Sequence, residues 1–260
     1  MEAVIAFLFG SMAGSFLNVC ILRMPKDESV VFPSSHCVSC QKAIAWHDNI
    51  PVLSFLVLGA KCRHCRSKIS WQYPLIEALC GILFVVFYLK FGLSARGFLY
   101  LYLSLCLLAQ TLIDLRYKII PDPLTLPAIV IGFVVSVIFP QIHGQGSWTG
   151  GAVQSLIGIL VGGGFLYLAG TLAEWVLKKE AMGGGDVKLL AAIGAVLGWQ
   201  GVLWTIFVSS FVGSVVGIYL RWKKGDETIP YGPFLAVGAF LYIFIGPQCV
   251  HWYLNRLSGI

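Results

Sequence analysis

VKLLAAIGAVLGWQGVLWTIFVSSFVGSVVGIYL, residues 187–220, decides how often this chain turns back on itself. Its only charge is Lys188, close to its start. One helix of this length would measure about 50 Å, against a bilayer hydrocarbon core of about 30 Å. Gly198-Trp199-Gln200-Gly201 offers a turn in the middle, so the stretch is read as two short spans, 187–199 and 201–220. The rest of the chain agrees in character. Hydrophobic residues make up 58% of it, charged residues only 12%, and the mean hydropathy is +0.83. A soluble globular domain does not have that composition.

Further spans are placed near 3–22, 72–89, 98–113, 124–140, 152–177 and 230–248, eight in all. Backbone amides in hydrocarbon must be satisfied within the chain, so the spans are predicted to be helices. The expected fold class is an all-α polytopic membrane protein of about eight transmembrane helices. Residues 3–22 lack a basic flank and a convincing cleavage site, and are read as a retained first span.

Basic residues test the split at 198–201. With eight spans and the N-terminus outside, fifteen Lys and Arg fall on one side and three on the other. Leaving 187–220 whole moves Arg221, Lys223 and Lys224 across and weakens the bias to twelve against six. The positive-inside rule therefore favours the hairpin and puts the loop 23–71 in the cytoplasm. The net charge of +6 records this topology and is not a nucleic-acid signal. Gly10/Gly14, Gly213/Gly217 and Gly162-Gly163-Gly164 are read as close helix-packing positions. The expected organisation is residues 1–71, a first helix plus a cytoplasmic insertion, and residues 72–260, a helical membrane body.

The insertion carries Cys37-Val-Ser-Cys40 and Cys62-Arg-His-Cys65. Two such knuckles can place four thiolates tetrahedrally around one structural zinc, with His36, His47 and His64 as bystanders. Disulfides are disfavoured in a reducing compartment, and a redox pair needs only one knuckle. Cys20, Cys80, Cys106 and Cys249 are read as packing residues. The connector Asn49–Gly59 is apolar, and lies either against the membrane face or packed within the insertion.

Acids at membrane depth are functional-site candidates by default. Most of the acids here fall in loops. Asp122, between two prolines, is read as a helix cap, and Glu77 as a buried polar contact or more. Asp114 ends the third span and Asp186 begins the sixth, so topology puts both at the same depth on the same face. Two carboxylates close together in low dielectric do not both ionise readily, and titrate as one unit with a base and an acid. That unit can activate water and protonate a leaving amine. The start of a helix favours an ionised carboxylate, which points to Asp186 as the base. A packed ion pair with Lys188 or Arg116, or a proton relay in a transporter, remains open from spacing alone. Gly183–Gly185, ahead of Asp186, either admit a substrate backbone or simply turn the chain.

Taken in order, a set of stretches resembles the bacterial type IV prepilin peptidases, membrane aspartic proteases of the GxGD type. They are Gly10–Asn18 through Arg23-Met-Pro25, both knuckles, Asn49-Ile-Pro51, Tyr73–Glu77, Ile113-Asp114 through Pro121-Asp122, Gly183–Lys188 and Pro230–Pro233. Gln72 stands where that family usually has arginine, and the first knuckle lacks the family's frequent proline. The resemblance implies that Asp114 and Asp186 are the catalytic pair. It implies removal of a short basic leader from type IV prepilins or type II secretion pseudopilins at the cytoplasmic face of the bacterial inner membrane. Members with the four-cysteine insertion commonly also N-methylate the new terminus with S-adenosylmethionine, and the resemblance extends that activity to this chain. The expected partners are the prepilin substrate and the lipid bilayer, with no nucleic acid.

Overall fold

The computed structural model describes residues 1–178, 183–224 and 229–257. Lys179, Glu180 and Met182, and the loop acids Asp226 and Glu227, lie outside the described residues. The described residues form eight α-helices: α1 (Glu2–Arg23), α2 (Leu53–Val57), α3 (Gln72–Phe91), α4 (Ala95–Tyr117), α5 (Asp122–Ile138), α6 (Trp148–Leu177), α7 (Gly184–Lys224) and α8 (Gly232–Leu257). Six are long and apolar enough to cross a bilayer, and α5 is a shorter apolar helix. Two compact units result, Met1–Gly97 and Phe98–Ile260.

In the first unit α1 and α3 pack antiparallel. A Cβ built on Gly10 would lie 2.6 Å from the Cys80 carbonyl oxygen, and one on Gly14 would lie 2.7 Å from the Glu77 Cα. Glycine is required at both, because the two backbones nearly touch. Such contact drives helix association in lipid, where apolar burial offers little gain. At the far end of the pair, buried Asn18 donates from Nδ2 to the Tyr73 carbonyl at 3.2 Å. The compact unit thus runs past residue 71, because α3 belongs with α1.

In the second unit α7 is interrupted at Gly198, with φ 71° and ψ 179°. That conformation is open to glycine and costly for other residues. Before the break α7 packs on α5 and α6: Cβ atoms built on Gly158 and Gly194 would each lie 2.1 Å from the other's carbonyl oxygen. After the break it packs on α8, with Thr205 against Gly238 and Gly213 against Phe234. The Ser209 hydroxyl meets the Tyr231 hydroxyl at 2.8 Å, next to the start of α8. The second limb therefore returns toward the end from which the first departed. Among the described residues, α5 and the two limbs of α7 bring the apolar helical segments to eight, the number expected from a turn at 198–201.

The glycine expectations divide. A Cβ on Gly162 would press to 2.4 Å from the Leu190 carbonyl oxygen, whereas one on Gly164 would meet nothing within 4 Å. Gly213 and Gly217 do not mark close backbone approach: built Cβ atoms there would meet the Phe234 ring at 3.4 Å and the Ile229 side chain at 3.8 Å, ordinary contact distances. Bulky side chains opposite both positions hold the backbones apart.

Candidate active site and four-cysteine centre

The two knuckles fold alike. In the first, Cys37 N–H donates to the Lys42 carbonyl (3.0 Å), Gln41 N–H to Cys37 (2.9 Å) and Ile44 N–H to Ser35 (2.8 Å). In the second, Cys62 donates to Ser67 (2.9 Å), Arg66 to Cys62 (3.0 Å) and Ile69 to Ala60 (2.8 Å). The register is identical, and Gln41 and Arg66 take the same left-handed turn position, at φ 58° and 60°. Each knuckle is a small independent device for aiming two sulfurs. Together they bring the Sγ atoms of Cys37, Cys40, Cys62 and Cys65 within 4.8 Å of one another, and among the described residues no histidine joins the cluster. Cys37 and Cys65 Sγ lie 3.8 Å apart. A tetrahedron with metal–sulfur bonds of about 2.3 Å has edges of about 3.8 Å, so the donor set fits zinc.

The thiols are electrostatically unequal. Backbone N–H groups of Cys40 and Ser39 bring Cys37 down to about 6, and the Ser67 hydroxyl lowers Cys65. Cys40 is pushed up to about 11: the Lys42 N–H lowers it, but burial and the neighbouring thiols Cys65, Cys37 and Cys62 together outweigh that. Four sulfurs this close cannot all be anionic by themselves, and a bound cation is what lets them be.

The connector braces the centre. Asp48 takes a bidentate hydrogen bond from Arg63, 2.7 Å from Nε and 2.6 Å from Nη2, which holds its carboxyl below the usual range. Buried Glu77 accepts the Val52 N–H at 2.7 Å. Val52 has φ 61° and ψ −49°, a costly conformation for a β-branched residue, about 1–3 kcal/mol. Glu77 is thus the buried polar contact the sequence allowed, and it holds the strained entry to α2. In α2 the connector packs within the insertion through one side chain. Phe55 is buried, its ring 4.8 Å from that of Trp71, while Leu53, Leu56 and Val57 face outward. Cys20, Cys80 and Cys106 are buried packing residues, whereas Cys249 is exposed.

In the second unit, Asp114 and Asp186 come together from α4 and α7. Asp114 is 5% exposed, in the last turns of α4, and its Oδ2 accepts the Gly232 N–H at 3.0 Å. Asp186 stands in the first turn of α7, near enough for the two carboxyl groups to interact electrostatically. Its Oδ1 is buried with no partner among the described residues. Ile120 lies beside both glycines that flank the pair: a Cβ on Gly185 would lie 2.9 Å from Ile120 Cβ, and one on Gly232 would lie 3.4 Å from Ile120 Cδ1. On Gly232 it would also lie 2.7 Å from Asp114 Oδ2. Gly232 was legible only as part of a Pro-Tyr-Gly-Pro stretch. A glycine just before a proline in a helix's first turn is the signal that could have marked it.

The glycines ahead of Asp186 serve different ends. Gly185 makes room for Ile120, Gly184 faces open space, and a Cβ on Gly183 would sit 3.5 Å from Asp186 Oδ2. Asp122 is not the cap of α5; Pro121 holds that position and Asp122 is the first helical residue. Its carboxylate instead takes the Lys188 ammonium at 2.7 and 2.9 Å. Lys188 is therefore paired away from the carboxylates, and the proposed ion pair with Asp186 is not formed by it.

A many-helix apolar body carrying two neighbouring carboxylates, on a chain whose four clustered thiols could hold a metal ion, has the parts that an integral membrane aspartic peptidase requires. The model of the bacterial peptidase A24 N-terminal domain matches residues 8–91, and that of the type IV leader peptidase family matches residues 101–218. The chain is 37% identical to a prepilin leader peptidase/N-methyltransferase of Xanthomonas campestris pv. campestris, over 96% of this chain and 93% of the relative. Similar relatives of the same description occur in Pseudomonas putida (32%, over 94% of this chain and 91% of the relative) and Pseudomonas aeruginosa (34%, over 95% and 92%). No solved structure matches it. The chain belongs to the type IV leader peptidase family.

Proposed function

We propose that this protein removes the leader from prepilin-type substrates by aspartic hydrolysis at Asp114 and Asp186, and then methylates the freed amine. The observation that carries the first step is the meeting of two carboxylates, 72 residues apart in sequence, in a water-poor site at the ends of two helices. Asp186 Oδ1, which has no partner among the described residues, takes a proton from water. The hydroxyl oxygen bonds to the scissile carbonyl carbon, and the proton held by Asp114 passes to the amide nitrogen as the C–N bond breaks. The products are a new carboxyl terminus and a free amine. Gly232 N–H fixes the Asp114 carboxyl for that transfer, and Ile120 shields the pair from bulk water.

The methyl-transfer half is supported by the descriptions of the relatives, which match over almost the whole chain. S-adenosylmethionine would supply the methyl group; the structure assigns no residue to it. The four cysteines would hold structural zinc, making the insertion's fold metal-dependent. A cytoplasmic-face site in a bacterial inner membrane is supported by the excess of basic residues in loop 23–71 and beside Asp114.

The test is to incubate purified protein with a prepilin in bilayer nanodiscs and weigh the product, which reports leader loss and added methyl together. Asp114→Asn and Asp186→Asn should insert normally and leave the leader attached. Normal processing by either variant overturns the assignment.

A further inference from the structure

Gln110 is a polar side chain that the fold of the second unit does not explain. It lies in α4 four residues before Asp114, hence on the same helical face and about 6 Å deeper along the axis. It is 2% exposed, and neither its Nε2 nor its Oε1 has a hydrogen-bond partner among the described residues. A neutral amide in an apolar interior without partners costs several kcal/mol. Leucine would fill that place without the cost, as Leu103 and Leu107 do further along the same stripe.

Cleavage by the aspartate pair explains the amide, and the inference rests on that reading. To be attacked, a substrate entering from the bilayer must have its helix unwound around the scissile bond. Unwinding at membrane depth strips peptide N–H and C=O groups of their partners, and lipid offers no replacement. A side-chain amide has one donor group and one acceptor group, the same complement as a peptide unit. We propose that Gln110 is a substrate-binding residue whose amide pairs with one peptide unit of the unwound chain, on the apolar side of the scissile bond. Its offset of about 6 Å from Asp114 corresponds to about two residues of extended chain, at about 3.3 Å each. The peptide unit bound is therefore expected about two residues beyond the cleaved bond. Substrate binding satisfies Gln110 and the unwound backbone together, and so favours the opened conformation over the helix.

The experiment measures kcat and KM for a purified prepilin in bilayer nanodiscs, with wild type, Gln110→Leu and Gln110→Met. A parallel set of prepilins has single peptide bonds replaced by esters, each removing one N–H, at the first five positions after the cleavage site. Gln110→Leu is expected to keep or raise thermal stability, because it removes a buried unpaired amide. It should weaken kcat/KM about five- to tenfold, the worth of about one to two buried hydrogen bonds. The wild type should lose a similar factor for one ester, near the second position, and both variants should be insensitive to that ester. Gln110→Met supplies the same readout if the leucine variant fails to fold. Unchanged kinetics in a folded variant overturns the proposal. So does an ester profile identical in wild type and variants, the result if Gln110 holds only water or packs. If the wild type fails to cleave the unmodified prepilin, the peptidase reading falls as well; if it cleaves normally, that reading stands whatever Gln110 does.

Discussion

The four-cysteine centre and the carboxylate pair are assembled by opposite means. Each knuckle is closed by backbone hydrogen bonds spanning at most nine residues, repeated in the same register from Cys37 and from Cys62. Its geometry is local, and only the meeting of the two knuckles needs the connector, braced by Asp48–Arg63 and Glu77–Val52. The carboxylate pair has no local geometry at all. Asp114 closes one helix, Asp186 opens another, and the main-chain donor to Asp114 comes from Gly232 at the start of a third. A locally encoded site tolerates changes elsewhere, whereas a site made by three helix ends is sensitive to each of their positions.

The largest test of that contrast is Gly232→Ala. The added Cβ would lie 2.7 Å from Asp114 Oδ2, so the carboxyl or the start of α8 must move. Leader removal in the nanodisc assay is expected to fall by about a hundredfold or more, since misplacement of about 1 Å can cost that much. A variant of near-normal rate would show that the pair is less finely placed than the structure indicates.

Cys37→Ser with Cys40→Ser addresses the other region. The variant should lose its zinc, measured by elemental analysis of the purified protein, and with it methylation. Leader removal should persist. Full zinc content would break the four-thiol assignment, and loss of both activities would break the separation between the two regions.

A smaller effect is expected where helix ends are held by charge. Asp122→Lys or Lys188→Asp alone should reduce the cleavage rate severalfold by loosening α5 against α7, beside Asp186. The double exchange should restore most of it. The pair is half-exposed, so its stability contribution is at most about 1 kcal/mol. Failure of the double exchange to rescue would assign Lys188 another role.

The smallest concerns Asp48→Asn. Arg63 holds the Asp48 carboxyl below its unfolded value, so the pair stabilises the insertion at neutral pH. That contribution fades as pH falls below about 4 and through the folded-state value. Hydrogen exchange of the zinc-loaded protein should show faster opening of the connector in the variant at pH 7. The difference should shrink on acidification, and a difference that grows would contradict the pairing.

Much of this protein was written in its sequence. Hydropathy gave the number of apolar helical segments, and the weak point at Gly198 is where α7 breaks, because only glycine enters that conformation cheaply. Cysteine spacing gave the four-thiol cluster, because a knuckle is a local turn. Topology alone put Asp114 and Asp186 at one depth. Tertiary structure decided what faces them, because contacts between distant helix ends leave no periodic trace along the chain. It supplied Gly232 as the donor to Asp114 and set Ile120 beside Gly185 and Gly232. It gave Lys188 to Asp122 instead of to the carboxylates, and it left Gln110 buried one turn deeper with no partner among the described residues.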